Sequence, residues 1–139
     1  MTDITRRKLM TTGGALAVTA ALPASASATV TPGGHNTPKV HHMVYFWLAN
    51  PESQSDRDKL IAGLKTLEGI PQVQKLFVGV PASTMVRDVV DNSFHVSELM
   101  MFNNTEDQDA YQTHPLHLKF VEECSGLWEK VVVHDSLMV

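Results

Sequence analysis

A chain of 139 residues has the length of one domain, and 43% hydrophobic with 19% charged residues is the balance of a packed globular protein rather than a disordered polar one. The formal net charge is −4. Setting aside Arg6, Arg7, Lys8 and Asp3 leaves 8 basic against 14 acidic residues, so the rest of the chain carries −6 and would repel a phosphate backbone, which argues against a nucleic-acid partner.

The single cysteine, Cys124, excludes an internal disulfide and a cysteine-based metal cluster. No apolar stretch reaches the ~20 residues needed to span a bilayer. The first 28 residues nevertheless have a recognisable order. Arg6 and Arg7 precede a short, weakly apolar run from Gly13 to Leu22, and small-residue sites follow at Ala24-Ser25-Ala26 and Ala26-Ser27-Ala28. Basic, then mildly apolar, then small is the order of a cleavable secretion signal, and the paired arginines point to the twin-arginine route. Residues 1–28 are therefore expected to be a signal peptide, residues 29–38 a flexible leader rich in Pro and Gly, and residues 39–139 a folded domain. A periplasmic or secreted location follows, with no membrane attachment once the signal is removed.

Residues 40–48 (VHHMVYFWL) are rich in β-formers and predict a strand, with His42, Val44, Phe46 and Leu48 on one face and His41, Met43, Tyr45 and Trp47 on the other. Ser53 or Ser55 can cap a helix whose stripe is Leu60, Ile61, Leu64 and Leu67, stopped by Gly69 and Pro71. Val73–Val80 predicts a second strand, closed by Pro81, and residues 82–93 a loop. Phe94–Phe102 predicts a third strand. Asn103, Asn104 or Thr105 caps a short acidic helix through Tyr111. Pro115 cannot continue that helix but suits the first position of a new one, which runs to Ser125 or Gly126. Trp128–Val139 predicts the last strand.

The order β-α-β-β-α-β predicts an α+β ferredoxin-like fold, with four antiparallel strands and helices on one face. The opposite sheet face is apolar and uncovered, so a two-fold homodimer with its sheets packed into a barrel is expected.

Several segments carry a family resemblance: Val40-His41-His42-Met43-Val44, Gly69-Ile70-Pro71, Tyr111-Gln112-Thr113-His114-Pro115-Leu116-His117, Phe120-Val121-Glu122, and Trp128-Glu129-Lys130 with Asp135. Over residues 39–139 the chain resembles the stress-responsive A/B barrel domain proteins, which implies a dimeric α+β barrel. Its Tyr-x-x-His-Pro-x-His segment is similar to that of the polyketide-cyclising members. Those members use a tyrosine and a histidine of this segment for an aldol closure, with neither metal nor organic cofactor. The resemblance places that pair on Tyr111 and His117, the first-strand histidine on His42 and a last-strand aspartate on Asp135. Where the cyclases have aromatic pocket residues on the first helix, this chain has small or aliphatic ones, including Gly63.

His117 falls in the first turn of the helix opened by Pro115, where the positive helix end disfavours imidazolium; it is expected to be neutral near pH 7 and able to accept a proton. Tyr111, His117 and Asp135 are the candidate acid–base residues, with Asp135 expected to orient the His117 imidazole. His42, His114 and Trp128 are candidate ligand contacts. The spacing of His114 and His117 also suits a metal, with His42 or Asp135 as third ligand, and some family members hold a cation on main-chain carbonyls matching Leu67, Ile70 and Val73; no metal or cofactor is assigned. The expected occupant is a small, partly apolar molecule. Binding alone, cofactor-independent lyase, isomerase or cyclase chemistry, and monooxygenase chemistry with haem as a possible group all remain open on this fold.

Overall fold

The computed structural model describes residues 37–139; the expected signal peptide and most of the expected leader lie outside the described residues. The elements are β1 (Val40–Leu48), α1 (Gln54–Thr66), a 3₁₀ turn (Leu67–Gly69), β2 (Lys75–Gly79), β3 (Val96–Phe102), α2 (Thr105–Gln112), α3 (Pro115–Cys124), a second 3₁₀ turn (Ser125–Leu127) and β4 (Trp128–Leu137). The strands form one antiparallel sheet in the order β2-β3-β1-β4, which is the expected ferredoxin-like arrangement with its second helix broken in two. β2, β3 and β4 are each shorter than the sequence pattern suggested. Among the described residues no helix is long and apolar enough to cross a membrane.

Local chemistry accounts for the helix ends. Ser53, not Ser55, caps α1: its hydroxyl accepts from the Asp56 N–H at 3.2 Å. Asn104 caps α2 by accepting from the Asp107 N–H at 2.7 Å. Pro115 is the first residue of α3, where its missing N–H costs nothing.

β1 lies between β3 and β4 and alternates strictly: Val40, His42, Val44, Phe46 and Leu48 are buried beneath the helices, while the intervening residues are half-buried on the opposite face. β3 alternates likewise, burying Val96, Glu98, Met100 and Phe102 on the helix side. Leu60 and Leu64 of α1, Leu67, Ile70, Tyr111 of α2, and Phe120 and Cys124 of α3 complete the core. Each fully buried aliphatic side chain contributes roughly 1.5–3 kcal/mol. The other sheet face presents Met43, Tyr45 and Trp47 from β1, Leu99 and Met101 from β3, and Phe77 from β2, which is 55% exposed.

Gly63 sits where α1 crosses α3. A Cβ there would lie 2.6 Å from Cys124 Sγ and 3.2 Å from the Phe120 ring. Its lack of a side chain therefore lets two helices approach, and it does not line the pocket described below. Gly63→Ala is expected to lower unfolding stability by about 1–3 kcal/mol through overpacking, outweighing the ~1 kcal/mol gained in helix propensity. In a Cys124→Ala background the loss should shrink or reverse. Denaturant unfolding of the four proteins measures both, and a single Gly63→Ala variant more stable than wild type would contradict the tight crossing.

Candidate functional site

The helix face of the sheet and the α2–α3 pair enclose a cavity of about 180 Å³. Its apolar wall is Val44, Phe46, Phe120 and Trp128, with Phe120 stacked on Trp128 at 5.8 Å between ring centroids. Val121 of α3 and Val131 and Val133 of the edge strand β4 line it on the side where they are exposed. Four ionisable side chains enter this apolar setting: His42, Glu98, Tyr111 and His117.

His42 arrives by strand register. It faces Asp135 directly across the β1–β4 ladder, and facing residues of an antiparallel pair project on the same side. The two side chains meet at 2.6 Å, His42 Nδ1 to Asp135 Oδ1. A carboxylate only accepts, so Nδ1 carries the hydrogen and Nε2 keeps its lone pair when the ring is neutral. Gln108, one turn before Tyr111 on α2, donates to the same Asp135 oxygen at 2.9 Å. Its 3.1 Å approach to His42 Nδ1 is then a contact only, because that nitrogen is already the donor to Asp135.

His117 arrives by the helix break. After Tyr111 the chain leaves helical geometry, and His114 adopts φ −66° and ψ 139°, the extended conformation favoured before proline. α3 then restarts and carries His117 back over Tyr111, ring centroids 4.6 Å apart. His117 Nδ1 donates to the Gln112 carbonyl at 3.0 Å, so here too Nε2 is the acceptor nitrogen of the neutral ring. Burial holds the imidazole below its ordinary pKa of 6.5; the Gln112 carbonyl opposes the shift and nearby His42 adds to it. Neutrality at pH 7 was expected, but burial and not the helix end is its leading cause. Tyr111 is buried against Phe102 and His42, and burial followed by the nearness of Glu98 keeps its phenol protonated far above its usual range.

Three expectations need correction or refinement. Asp135 does not orient His117; strand register gives it to His42, and the backbone of Gln112 serves His117. His114 does not line the cavity: it is the N-cap of α3, its Nδ1 accepting from the Leu116 N–H at 3.1 Å. His114 and His117 are thereby turned to different tasks, and among the described residues no three His, Cys, Asp or Glu side chains gather as a metal site. The Leu67 and Ile70 carbonyls accept from the Ile70 and Val73 amides within the turns after α1. Tyr111, His117, His42 and Trp128 do come together. The Cys124 thiol is pushed up in pKa, first by burial and then by Glu123, which leaves it a core thiol.

The sequence reading missed Glu98 and Gln108. Glu98 is 3% exposed, and burial alone raises its carboxyl to about 8. Its Oε1 is buried without a hydrogen-bond partner. The signal was available: an acidic residue in register with Val96, Met100 and Phe102 on the inward side of an alternating strand.

Several solved structures are similar to this chain. A hydroxynitrile lyase from Passiflora edulis is 26% identical, with 73% of this chain and 95% of that one covered and a TM-score of 0.62. A Dabb family protein with a ferredoxin-like fold from Mesorhizobium loti is 20% identical over 73% and 98%, with a TM-score of 0.61. A dimeric ferredoxin-like protein of unknown function from Thermobifida fusca is 15% identical over 73% and 92%, with a TM-score of 0.59. No curated protein sequence matches. The model of one family, the stress-responsive A/B barrel domain, matches residues 40–138, nearly the whole of the described fold, and the chain belongs to that family.

Proposed function

We propose that the cavity binds a small, partly apolar molecule with one carbonyl or hydroxyl group, and that His117 and His42 carry out acid–base chemistry of the lyase or isomerase kind at that group. One observation carries this reading. Two imidazoles have their Nδ1 atoms committed as donors, to Gln112 and to Asp135, so both leave Nε2 as a base beside Tyr111 in a cavity whose wall is mainly apolar. A cavity of about 180 Å³ suits a molecule of single-ring size, since an apolar cavity of about 150 Å³ accommodates benzene. The likeness to a hydroxynitrile lyase at 26% identity supports the lyase class. In such a step a neutral Nε2 takes the substrate proton and the Tyr111 hydroxyl donates a hydrogen bond to the oxygen that gains charge.

Turnover of a panel of single-ring hydroxy and carbonyl compounds tests it. His117→Ala should reduce the rate of any compound converted by about 10²–10⁴-fold, and Tyr111→Phe should also reduce it, both in proteins that remain folded. Asp135→Asn should cost less and act through His42. The rate should fall on acidification with a midpoint below 6.5, because protonation of His117 removes the base. Full activity in His117→Ala with a lowered melting temperature would make the segment a structural device and leave the protein a binding module.

The protein is further proposed to act as a homodimer. The face formed by Met43, Tyr45, Trp47, Phe77, Leu99 and Met101 is an uncovered apolar sheet surface, and structures from Thermobifida fusca and Bacteroides fragilis with this fold are described as dimeric. Sedimentation equilibrium at micromolar concentration should give twice the monomer mass, and a clean monomer would refute the assignment.

Export by the twin-arginine route is proposed from residues 1–28. Replacing Arg6 and Arg7 with Lys should leave unprocessed precursor in the cytoplasm on cell fractionation. Normal export of the double variant would remove the claim.

A further inference from the structure

Glu98 has no place in the proton transfer assigned to the two imidazoles, yet it is the most costly residue in the cavity. It stands in the middle of the sheet, on β3, with Val44 of β1 on one side and Val78 of β2 on the other. Among the described residues its carboxyl has no hydrogen bond and no ion pair, and Oε1 is fully buried. A buried carboxyl without a partner costs several kcal/mol if charged and on the order of 1–3 kcal/mol even if neutral, so an aliphatic residue would stabilise the fold better at this position.

We propose that Glu98 is a binding residue of the cavity, a hydrogen-bond donor that takes the carbonyl oxygen of the occupant and so selects an uncharged carbonyl compound over a carboxylate. The proposal rests on the cavity being the ligand site. The groups around Glu98 favour its neutral form. Tyr111 of α2, His117 of α3 and His42 of β1 share the cavity with it; Asp135 of β4 lies beyond His42; α1 turns Leu60 and Leu64 inward; and β2 sets Val78 opposite. No cation is among them when the histidines are neutral. Burial raises the carboxyl to about 8, so at pH 7 it holds its proton and has a donor to offer. A protonated carboxylic acid used as a hydrogen-bond donor in an apolar site is an established device for holding an oxygen that carries or gains negative charge. A carboxylate ligand would bring its own charge into the same apolar cavity and lose its hydration there for a single neutral donor.

The sign of the stability effect follows. Because the folded carboxyl titrates near 8 and the unfolded one near its ordinary 4.5, the destabilisation by Glu98 is least below 4.5, grows as pH rises from 4.5 towards 8, and is full above 8.

The test uses the full folded domain, three probes of one ring size, and two variants. Acetophenone, benzoate and benzylamine present a neutral carbonyl, an anion and a cation. At pH 6.5 acetophenone should bind wild type at least tenfold more tightly than either charged probe, and should weaken about tenfold between pH 6.5 and 9.5. Glu98→Gln, which keeps a donor of the same reach, should bind acetophenone without that pH dependence. Glu98→Leu should bind it about tenfold more weakly at pH 6.5 and melt at a higher temperature, most clearly above pH 8. In carbon-13 spectra of labelled glutamate, the signal absent from Glu98→Gln should titrate near 8. A Glu98 signal that titrates near 4.5 overturns the proposal, as does undiminished acetophenone binding in Glu98→Leu or no acetophenone binding to wild type. A preference for benzylamine that disappears in Glu98→Gln also overturns it, in favour of an ionised carboxylate pairing with a cation. Full turnover in His117→Ala would defeat the proton-transfer role without altering these binding ratios, so the two fail separately.

Discussion

β1 is paired on both edges at once, with β3 and with β4, and the rest of the site depends on that double ladder. A strand held from two sides cannot slip by one residue without turning its entire buried set, Val40, His42, Val44, Phe46 and Leu48, out to the opposite face. The register that buries four apolar side chains therefore also buries a histidine. It brings Asp135 opposite that histidine from a point 93 residues away in the chain. A buried imidazole needs its ring nitrogens accounted for, and the same ladder that creates the need supplies the carboxylate. Gln108 then joins the pair from α2, so sheet and helix layer meet through a polar contact at the margin of an apolar core.

The second organising feature is a proline. Without Pro115, α2 and α3 could run on as one helix, in which Tyr111 and His117 six residues apart would point about 120° apart and stand about 9 Å apart along the axis. The break after Gln112 folds the restarted helix back so that the two rings approach within 4.6 Å. The break also leaves two polar groups to satisfy, and histidines satisfy both: His114 caps the new helix, and His117 ties down the Gln112 carbonyl freed at the old one. These hydrogen bonds are structural and chemical together. Fixing Nδ1 of His117 as a donor leaves Nε2 as the acceptor nitrogen of the neutral ring.

Seen as a whole, the cavity is an apolar space into which burial forces neutrality. His117 is held below its ordinary pKa, Tyr111 above, and Glu98 is raised to about 8, each with burial as the first cause. In such surroundings a neutral base and neutral donors coexist at pH 7, whereas an exposed glutamate would be ionised and an exposed histidine partly so. The proposed proton transfer at a weakly polar substrate requires such a setting. The same setting disfavours a substrate that arrives carrying a charge.

The fold class was legible in the chain pattern alone, because strand alternation, helix stripes and the prolines and caps between them are local signals. Ser53 and Asn104 are among the caps that the chain pattern offers, and Pro115 opens α3 as that pattern predicts. The Tyr-His-Pro-His segment was legible for the same reason, since a helix break and its cap span only a few neighbours. Tertiary structure decided the partnerships. Asp135 was expected to orient His117 until β1–β4 register assigned it to His42. Gly63 stood out only as a small residue where the cyclases have an aromatic one, and what it meets, Cys124 and Phe120 of α3, is a matter of helix packing. His114 looked like a ligand contact and proved to be a cap. Glu98 was plainly visible as an acid in an apolar strand, but whether its carboxyl meets a cation, water or nothing depends on what β1, β2 and the helices bring against it. Local sequence sets which face a side chain takes; only the packing of distant segments sets what that face meets.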